Sequence, residues 1–408
     1  MTLYEDLKYR GLIKDISSSE LENKLNNEKL TFYIGTDPTA DSMHIGHFSS
    51  FLICTRLARY GHKPVLLIGG ATGLIGDPKP SKERQMISKE QVLKNVEGLT
   101  KQAQEIFGFE VVNNYDWIKD LNVLDFLRDY GKYINVNYML DKDIISRRLE
   151  SGITFCEFAY TILQGLDFIY LNKTKNVTLE VAGSDQWGNI TTGIEMARKM
   201  GMDELYGMTM PLVLDANGVK FGKTEGNALW LDKNKTTSYK LYQYLINTDD
   251  ACVIDYLKKL TFLTKEEIEE IEILQKREPE KRIAQKRLAK EIITFIHGED
   301  EYNKALNISE SLFTDKVKEL TSDDILENLS DVDEFKIETG INIVDVLTQT
   351  GICSSKRDAR EMITGSAISI NGNKINNLDK ILVKEDFIDE KVIILKKGKK
   401  NFYKLLLK

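Results

Sequence analysis

Two apolar segments on either side of a helical pattern constrain this fold most. Residues 29–37 predict a short strand that ends in a turn, and residues 64–68 form a continuous apolar run. Between them, apolar residues recur at helical spacing over residues 45–60. Parallel strands that are covered on both faces are uniformly apolar, so this order predicts a βαβ unit. With further predicted strands at 110–112 and 178–181, the pattern indicates an open α/β domain.

The chain has 408 residues, which is long enough for two or three domains. We predict a Rossmann-like domain with an open parallel sheet over residues 1–217 and an α-helical domain over residues 218–318, with a charged helical pattern at 264–299. An acidic, weakly periodic stretch at 319–340 predicts a linker. Residues 341–408 then predict a small α+β domain, with a strand and a hairpin turn near its centre.

Charge and cysteine content exclude several classes of protein. The net charge of −7 argues against a protein that coats nucleic acid, but residues 341–408 carry 13 Lys and Arg against 8 Asp and Glu, which indicates a local basic face. The four scattered cysteines form no CxxC pair, so neither a zinc site nor a disulfide framework is expected. Without an apolar N-terminal run or a membrane-length segment, we expect a cytoplasmic protein.

His44 and His47 stand three residues apart where the predicted helix begins. Free backbone N–H groups and the helix dipole favour a phosphate at such an end, and imidazoles there could donate hydrogen bonds during nucleotidyl transfer. A chance surface pair or half of a metal site would also explain the two histidines. No third ligand is apparent nearby, so we predict no protein-bound metal.

Two further segments are candidates for phosphate binding. The glycine-rich stretch 69–78 lacks the Gly-Lys-[Ser/Thr] ending of a P-loop, so by itself it indicates a tight turn. Lys220, Lys223 and Thr224 belong to the sequence Lys-Phe-Gly-Lys-Thr, which is cationic enough to stabilise a departing pyrophosphate. A solvated surface loop is the alternative for that segment.

Polar residues on one face of the predicted helix 154–168 suggest a ligand pocket. Tyr160, Gln164 and Asp167 are spaced by four and three residues, so their side chains share a face of an otherwise apolar helix. Such groups need partners when buried, and either a polar ligand or a structural network could supply them. The loop 183–189 follows a predicted strand, and ligands of open α/β sheets gather at the carboxyl ends of strands.

Taken together and in this order, the segments resemble the bacterial tyrosyl-tRNA synthetases, in the class I subgroup that also contains the tryptophanyl enzymes. The sequence His-Ile-Gly-His at 44–47 matches the HIGH signature, 220–224 matches the KFGKT form of the KMSKS loop, and 183–190 reads GSDQWGNI. The resemblance implies ATP-dependent activation of tyrosine and its transfer to tRNA, with magnesium accompanying ATP. It extends from residue 1 to residue 408.

The resemblance also implies roles for individual residues. Tyr33 and Asp167 would contact the phenol hydroxyl, whereas Asp77, Tyr160 and Gln164 would hold the ammonium group. The implied tyrosine pocket is formed by Tyr33, Asp77, Tyr160, Gln164, Asp167 and Glu180. The implied ATP site is formed by Gly35, Asp37, Thr39, His44, Gly46, His47, Gly183, Asp185, Gln186, Lys220 and Lys223. The implied catalytic residues are His44, His47, Lys220, Lys223 and Thr224.

Two positions depart from the family pattern. Glu180 stands where the family commonly has glutamine, and Ala182 replaces the first glycine of the usual GGSDQ. The extra carboxylate could strengthen contacts to the ammonium group or the ribose, or point elsewhere.

The resemblance further implies a homodimer and a C-terminal RNA-binding domain similar to that of ribosomal protein S4. The implied tRNA-binding residues are Arg198, Lys199, Lys356, Arg357, Arg360, Lys399 and Lys400. Alternatives are a tryptophanyl-tRNA synthetase, which is not expected to carry this tail, and a nucleotidyltransferase of the HxGH group, which would lack the KFGKT loop. An inactive RNA-binding relative is the third, although the two signature segments are intact.

Overall fold

A computed structural model describes residues 1–77, 87–140, 142, 145–146, 149, 152–224, 227–313, 315–329, 332–398 and 401–408. The chain forms two compact units. The first combines Met1–Lys235 with Asp249–Ala284, and the second combines Thr236–Thr248 with Gln285–Lys408.

Helices and strands alternate through the first half of the chain. The helices are α1 (Leu3–Tyr9), α2 (Leu21–Asn27), α3 (Ile45–Arg59), α4 (Lys89–Gln102), α5 (Tyr115–Ile118), α6 (Val123–Asp125), α7 (Val136–Leu140), α8 (Phe155–Lys175), α9 (Trp187–Lys199), α10 (Ser238–Ile246), α11 (Asp250–Leu260), α12 (Lys265–Arg277), α13 (Ile283–His297), α14 (Glu299–Phe313), α15 (Ser322–Asn328), α16 (Ile343–Gln349) and α17 (Lys356–Thr364). The strands are β1 (Asp15–Ile16), β2 (Thr31–Thr36), β3 (Lys63–Ile68), β4 (Glu110–Asn113), β5 (Val177–Gly183), β6 (Tyr206–Met210), β7 (Lys223–Thr224), β8 (Asn227–Ala228), β9 (Glu334–Ile337), β10 (Ile368–Ile370), β11 (Asn373–Lys374), β12 (Val392–Lys397) and β13 (Asn401–Leu407).

The first unit is built on a six-stranded sheet with the order β1-β6-β5-β2-β3-β4. Strands β2 to β6 are parallel to their neighbours, and β1 pairs antiparallel with β6. From β2 the chain runs outward through β3 and β4, then returns to the other side of β2 with β5. The strand order therefore reverses between β2 and β5, where open α/β sheets bind their ligands. The α/β fold and its predicted strands are confirmed.

Helix α8 is longer than the predicted helix 154–168. It starts at a capping box in which Thr154 and Glu157 satisfy each other's backbone N–H groups, and it ends at Asn176 in the left-handed conformation. No glycine or proline lies between residues 168 and 176, so nothing stops the helix earlier.

The predicted helical pattern at 264–299 is interrupted. Pro279 lacks a backbone N–H group, and Arg282 adopts a positive φ of 51°, so α12 and α13 are separate helices. The Gln275 side chain bridges this break, since it accepts a hydrogen bond from the Ala284 N–H at 3.1 Å.

The second unit contains a five-stranded sheet with the order β11-β10-β12-β13-β9. Residues 319–340, where the sequence predicts a linker, contain α15 and β9. Strand β9 pairs parallel with β13, and Ile325 and Leu329 are buried against Val392 and Ile394 of the sheet. The acidic composition of this stretch predicts no buried contacts. Its apolar residues were not recognised as buried because their partners lie more than sixty residues later in the chain. The exact domain boundaries stay a prediction.

None of the helices in the described ranges is both long and apolar enough to cross a membrane.

Candidate active site

A cavity of about 360 Å³ opens at the carboxyl ends of β2 and β5, at the point where the strand order reverses. Every predicted tyrosine-pocket residue lines it, as do the predicted ATP-site residues from Gly35 to Lys220. The cavity is lined by residues that include Tyr33, Gly35, Asp37, Thr39, His44, Gly46, His47, Thr72, Asp77, Tyr160, Gln164, Asp167, Glu180, Gly183, Asp185, Gln186, Lys220 and Lys259. Residues that are scattered over the sequence from 33 to 220 thus share one site.

Tyr33 and Glu180 are neighbours across strands β2 and β5. Both side chains are buried, and Gln164 donates a hydrogen bond to the Glu180 carboxylate at 2.8 Å. The Tyr33 hydroxyl lies close to the same carboxylate but has no hydrogen-bond partner of good geometry. A buried hydroxyl without a partner costs free energy, so this end of the cavity favours a ligand that can bond to it.

Asp167 is buried on helix α8 and accepts two hydrogen bonds, one from the Trp117 indole at 2.8 Å and one from the Asn114 amide at 3.0 Å. Burial raises the pKa of Asp167 to about 8, although both donors act against that rise. Burial likewise raises the pKa of Glu180 to about 7. Two carboxyl groups with such pKa values strongly favour a cationic or hydrogen-bonding ligand over an apolar one.

Asp37 joins helix α8 to the glycine-rich turn. It accepts hydrogen bonds from the Tyr160 hydroxyl at 3.0 Å and from Thr72 at 2.9 Å. Burial, followed by the nearby Asp37 charge, raises the pKa of Tyr160 well above its ordinary value, so this phenol remains a hydrogen-bond donor. Thr72 lies in a short 3₁₀ turn, in agreement with the tight turn that the sequence predicts.

Asp77 belongs to a network at the start of helix α9. Its carboxylate accepts a hydrogen bond from Gln186 at 3.1 Å and a longer one from Asn189 at 3.4 Å. Asn189 also donates to Gln186, and its own oxygen accepts a bond from Thr161 at 2.9 Å. These contacts fix the Asp77 carboxylate at the edge of the cavity.

His44 and His47 form a reciprocal cap at the start of helix α3. The His44 Nδ1 accepts from the Gly46 N–H and the His47 Nδ1 accepts from the His44 N–H, both at 3.1 Å. Each neutral ring therefore carries its proton on Nε2. Burial, with a smaller effect from His44, lowers the pKa of His47 to about 3, so His47 is an uncharged donor near pH 7. A Cβ at Gly46 would lie 2.8 Å from the His44 ring, so only glycine leaves that space open.

The lysine-bearing segment folds back over the same end of the cavity. Lys220 donates to Asp185 at 3.2 Å, across the cavity mouth. Gly222 has a φ of 80°, and a Cβ there would lie 1.8 Å from Ile45. Lys223 and Thr224 form strand β7, which pairs antiparallel with β8.

The predicted tRNA-binding residues that the structure describes are not among those that line this cavity. Arg198 forms an exposed ion pair with Glu195, and Lys199 donates to the Tyr133 carbonyl. In the second unit, Lys356 and Arg357 are exposed on α17, where they pair with acidic neighbours, and Arg360 is exposed on the same helix. Lys399 and Lys400 lie outside the described residues.

Sequence reasoning missed several residues of the site. Asn114 and Trp117 bond to Asp167. The Asn114 amide also donates to the Thr72 hydroxyl at 3.0 Å, and Thr72 in turn bonds Asp37. Lys259, on helix α11, lines the cavity. Asn114 directly follows strand β4, so the rule about carboxyl ends of strands was the available signal for it. For Lys259 no sequence signal was available.

Comparisons with known proteins agree with this geometry. The family of tRNA synthetases class I (W and Y) matches residues 25–314, and the Tyrosine--tRNA ligase SYY-like C-terminal domain matches residues 324–405. The Tyrosine--tRNA ligase of Macrococcus caseolyticus is 49% identical over 413 residues and covers 99% of both chains. That of Staphylococcus carnosus is 49% identical over 411 residues and covers 98% of both.

Solved structures show the same fold. A C-terminally truncated mitochondrial tyrosyl-tRNA synthetase from Aspergillus nidulans is 32% identical with a TM-score of 0.67, covering 76% of this chain and 94% of that one. A tyrosyl-tRNA synthetase from Archaeoglobus fulgidus, solved with L-tyrosine, shares the fold at 16% identity and a TM-score of 0.55, covering 75% of this chain and 100% of that one. The chain therefore belongs to the class I tRNA synthetase family of the tryptophan and tyrosine enzymes, among its bacterial tyrosine–tRNA ligases.

Proposed function

We propose that this chain activates L-tyrosine with ATP, giving tyrosyl-adenylate and pyrophosphate, and transfers the tyrosine to the 3′-terminal adenosine of its tRNA. One observation carries this proposal. A single cavity joins the buried Tyr33 and Asp167 to the two histidines of helix α3 and to Lys220. One end suits a phenol and the other suits a triphosphate. The near full-length identity to bacterial tyrosine–tRNA ligases supports the same reaction.

Tyr33 and Asp167 bind the phenol hydroxyl in this proposal. The unpartnered Tyr33 hydroxyl gains its hydrogen bond from the substrate, and each Asp167 oxygen still has a lone pair after bonding Asn114 or Trp117. Phenylalanine would leave the buried Tyr33 hydroxyl without a hydrogen bond and would give Asp167 no additional donor, so it would be rejected. Tyrosine enzymes are themselves the standard example of this rule.

The ammonium group of tyrosine binds among Asp77, Tyr160, Gln164 and Glu180. Gln164 uses its Nε2 to bond Glu180, which leaves its oxygen as an acceptor. Asp77 and Glu180 supply negative charge close to that oxygen in the same cavity. The glutamate at position 180 thus strengthens the attraction to the ammonium group.

ATP, which carries its magnesium ion as part of the substrate, binds where His44, His47 and Lys220 converge. The tyrosine carboxylate attacks the α-phosphorus in line, and pyrophosphate leaves. The Nε2–H groups of the two histidines donate to phosphate oxygens as charge develops, while Lys220 neutralises the leaving pyrophosphate, together with Lys223 and Thr224. Gly35, Thr39, Gly46 and Gly183 leave room for the nucleotide, with Asp37, Asp185 and Gln186 as polar contacts.

Transfer of tyrosine requires no covalent bond to the enzyme. A hydroxyl of the terminal adenosine attacks the carbonyl of the adenylate within the same cavity, so binding and orientation supply most of the rate enhancement. The basic face of the C-terminal domain, with Lys356, Arg357, Arg360, Lys399 and Lys400, contacts the tRNA backbone elsewhere, and Arg198 and Lys199 contact its acceptor arm.

The chain acts as a homodimer. Among the described residues between positions 123 and 155, large apolar side chains are exposed, including Val123 at 66%, Leu124 at 70% and Phe155 at 71%. A monomer rarely exposes so many apolar residues in one region, and a second copy of the chain would cover them. We also propose a cytoplasmic location, because none of the four cysteines forms a disulfide, as is usual in a reducing compartment.

The proposal is tested by charging total bacterial tRNA with each of the twenty labelled amino acids. Labelled tyrosine should enter acid-precipitable tRNA in an ATP-dependent reaction, and the label should be released by mild base as expected for an ester. Charging with tryptophan instead, or binding of tRNA without charging, would contradict the proposal.

A further inference from the structure

The lysine hairpin, which we define as residues 213–221, rests on a tyrosine that has no assigned role. The hydroxyl of Tyr256, on helix α11, donates to the carbonyl oxygen of Leu214 at 3.0 Å. The Tyr256 ring also meets the ring of Phe221 edge-on, with 4.9 Å between centroids. Both rings are buried. One side chain therefore contacts the two strands of the hairpin at its base.

Backbone pairing transmits the position of Leu214 to Lys220. The two residues face each other in an antiparallel bridge, and the Phe221 N–H donates to the Val213 carbonyl at 2.9 Å. The Asp215 side chain closes the turn by accepting two backbone bonds, from Asn217 at 2.9 Å and from Val219 at 2.8 Å. The hairpin is thus an ordered unit, and a shift of its Leu214 carbonyl moves Lys220 as well.

Helix α11 is in turn fixed at its C-terminal end. Arg56 donates to the Thr261 carbonyl at 2.5 Å, and Arg10 donates to the carbonyls of Lys258 at 2.9 Å and Leu263 at 2.6 Å. Asp6 lies between the two guanidinium groups, at 2.7 Å from Arg10 and 3.0 Å from Arg56. All three charged side chains are buried. The two arginines satisfy carbonyls at and just beyond the helix end, which have no intrahelical partners.

Arg56 belongs to helix α3, which begins beside His44 and His47. The C-terminal end of helix α11 is consequently bonded to helix α3. One to two turns earlier, Tyr256 of helix α11 contacts the lysine hairpin. Thr261, which caps the helix, follows Tyr256 by five positions, a distance of roughly 7.5 Å along a rigid element. The two signature segments of the ATP site are therefore connected through buried contacts in addition to their meeting at the cavity.

We propose that Tyr256 is a positioning residue for tyrosine activation, which holds Lys220 at a fixed place relative to His44 and His47. The inference rests on the proposed function, because it assigns Lys220 to the leaving pyrophosphate. Tyr256 itself does not line the cavity and acts only through the hairpin. Transition-state stabilisation by a lysine depends on its placement, so a loosened hairpin lowers the rate of adenylate formation more than it weakens tyrosine binding.

The test is Tyr256→Phe, which removes the hydroxyl and keeps the ring on Phe221. In tyrosine-dependent ATP–pyrophosphate exchange we expect kcat to fall about tenfold while the KM for tyrosine stays within about twofold. Tyr206→Phe is the matched control, since it removes a hydroxyl that bonds Glu20 and Glu204 at the far end of strand β6. Its kcat should remain within about twofold of the unmodified enzyme.

A double variant separates positioning from general loosening. In a Lys220→Ala background, Tyr256→Phe should lower kcat by less than about twofold, because the residue on which it acts is gone. Hydrogen exchange supplies a readout that does not need activity: the Phe221 amide should exchange faster in Tyr256→Phe than in Tyr206→Phe. Three results would overturn the inference: equal losses of kcat with and without Lys220, a change in the KM for tyrosine alone, or unchanged hydrogen exchange at the Phe221 amide. Absence of ATP–pyrophosphate exchange in the unmodified enzyme would instead contradict the proposed function.

Discussion

At the scale of single residues, the substrate pocket contains carboxyl groups held in an unusual state. Asp167 and Glu180 are buried and accept their hydrogen bonds from amide and indole groups. Burial raises both pKa values, to about 8 and about 7. In the proposed function, the ammonium group of a bound tyrosine favours the ionised form of Glu180, and the phenol hydroxyl donates to Asp167.

Glu180 should make the stability of the unliganded enzyme depend on pH. Its pKa is about 7 in the folded protein and near 4.5 in the unfolded chain, so the folded state binds more protons between these values. Its contribution is therefore fully present below about pH 4.5 and is lost as the pH rises through about 7, a change of roughly 3 kcal/mol. In Glu180→Gln, the part of the pH dependence of stability that comes from Glu180 should disappear.

Urea unfolding of both proteins from pH 5 to pH 8 without substrate measures this effect. Glutamine at position 180 can still accept the bond from Gln164 and can donate to the Tyr33 hydroxyl, so the variant should fold. Asp167 is present in both proteins, but the Glu180 charge helps to raise its pKa, so Glu180→Gln also reduces the Asp167 contribution, in the same direction. Parallel stability curves for the two proteins would contradict the assigned pKa of Glu180.

The sequence predicted part of this pocket for a physical reason. Tyr160, Gln164 and Asp167 follow helical spacing, and that spacing alone places them on one face. Asn114 and Trp117 were missed because their partnership with Asp167 depends on how helix α5 packs after strand β4, which no local pattern encodes. The absence of a partner on Tyr33 is likewise a property of the folded pocket only.

At the scale of elements, the buried cluster of Asp6, Arg10 and Arg56 connects helices α1, α3 and α11. Arg56→Met should lower the free energy of unfolding by about 3–5 kcal/mol, since Asp6 loses one of its two cations and the Thr261 carbonyl keeps only the longer bond from Arg10 at 3.3 Å. Arg59→Met is the matched control on the next turn of the same helix. Arg59 is exposed and stacks on Phe262, so its loss should cost about 0.5–1 kcal/mol.

Chemical unfolding followed by far-UV circular dichroism tests the comparison. A loss for Arg56→Met no larger than that for Arg59→Met would mean that desolvation of the cluster offsets its attraction, and that these helices are held together by apolar packing.

Elements were predicted best where burial leaves a simple pattern. The parallel strands are covered on both faces, so their uniformly apolar sequences were sufficient. Strand β9 was not recognised because only one of its four residues is fully buried and because its partner β13 is far along the chain. The break at Pro279 was missed because the apolar stripe continues on either side of it.

At the scale of the whole molecule, the proposed function places tyrosine activation in the first unit and the main contacts to the tRNA backbone in the second. The cavity belongs to the first unit, and the exposed cations of helix α17 belong to the second. The triple variant Lys356→Gln, Arg357→Gln, Arg360→Gln should leave pyrophosphate exchange unchanged and lower kcat/KM for tRNA charging at least tenfold, with a weaker dependence on salt. Steady-state kinetics at two salt concentrations provide the measurement.

Substitution is a cleaner test of the tail than truncation at residue 341. Removing residues 341–408 would leave β9 without its partner strand and would expose Ile308, Leu312 and Ile325, which pack against Val392 and Ile394. If the triple variant charged tRNA as well as the unmodified enzyme at both salt concentrations, helix α17 would have no part in tRNA binding.

The central claim is that this cavity activates tyrosine, and ATP–pyrophosphate exchange without tRNA tests it most directly. Each of the twenty amino acids is added in turn to enzyme, magnesium–ATP and labelled pyrophosphate. We predict that tyrosine supports exchange, that phenylalanine fails because it leaves the Tyr33 hydroxyl without a hydrogen bond and offers no donor to Asp167, and that tryptophan fails as well. Exchange that depends on tryptophan, or the failure of all twenty amino acids to support exchange, would contradict the account.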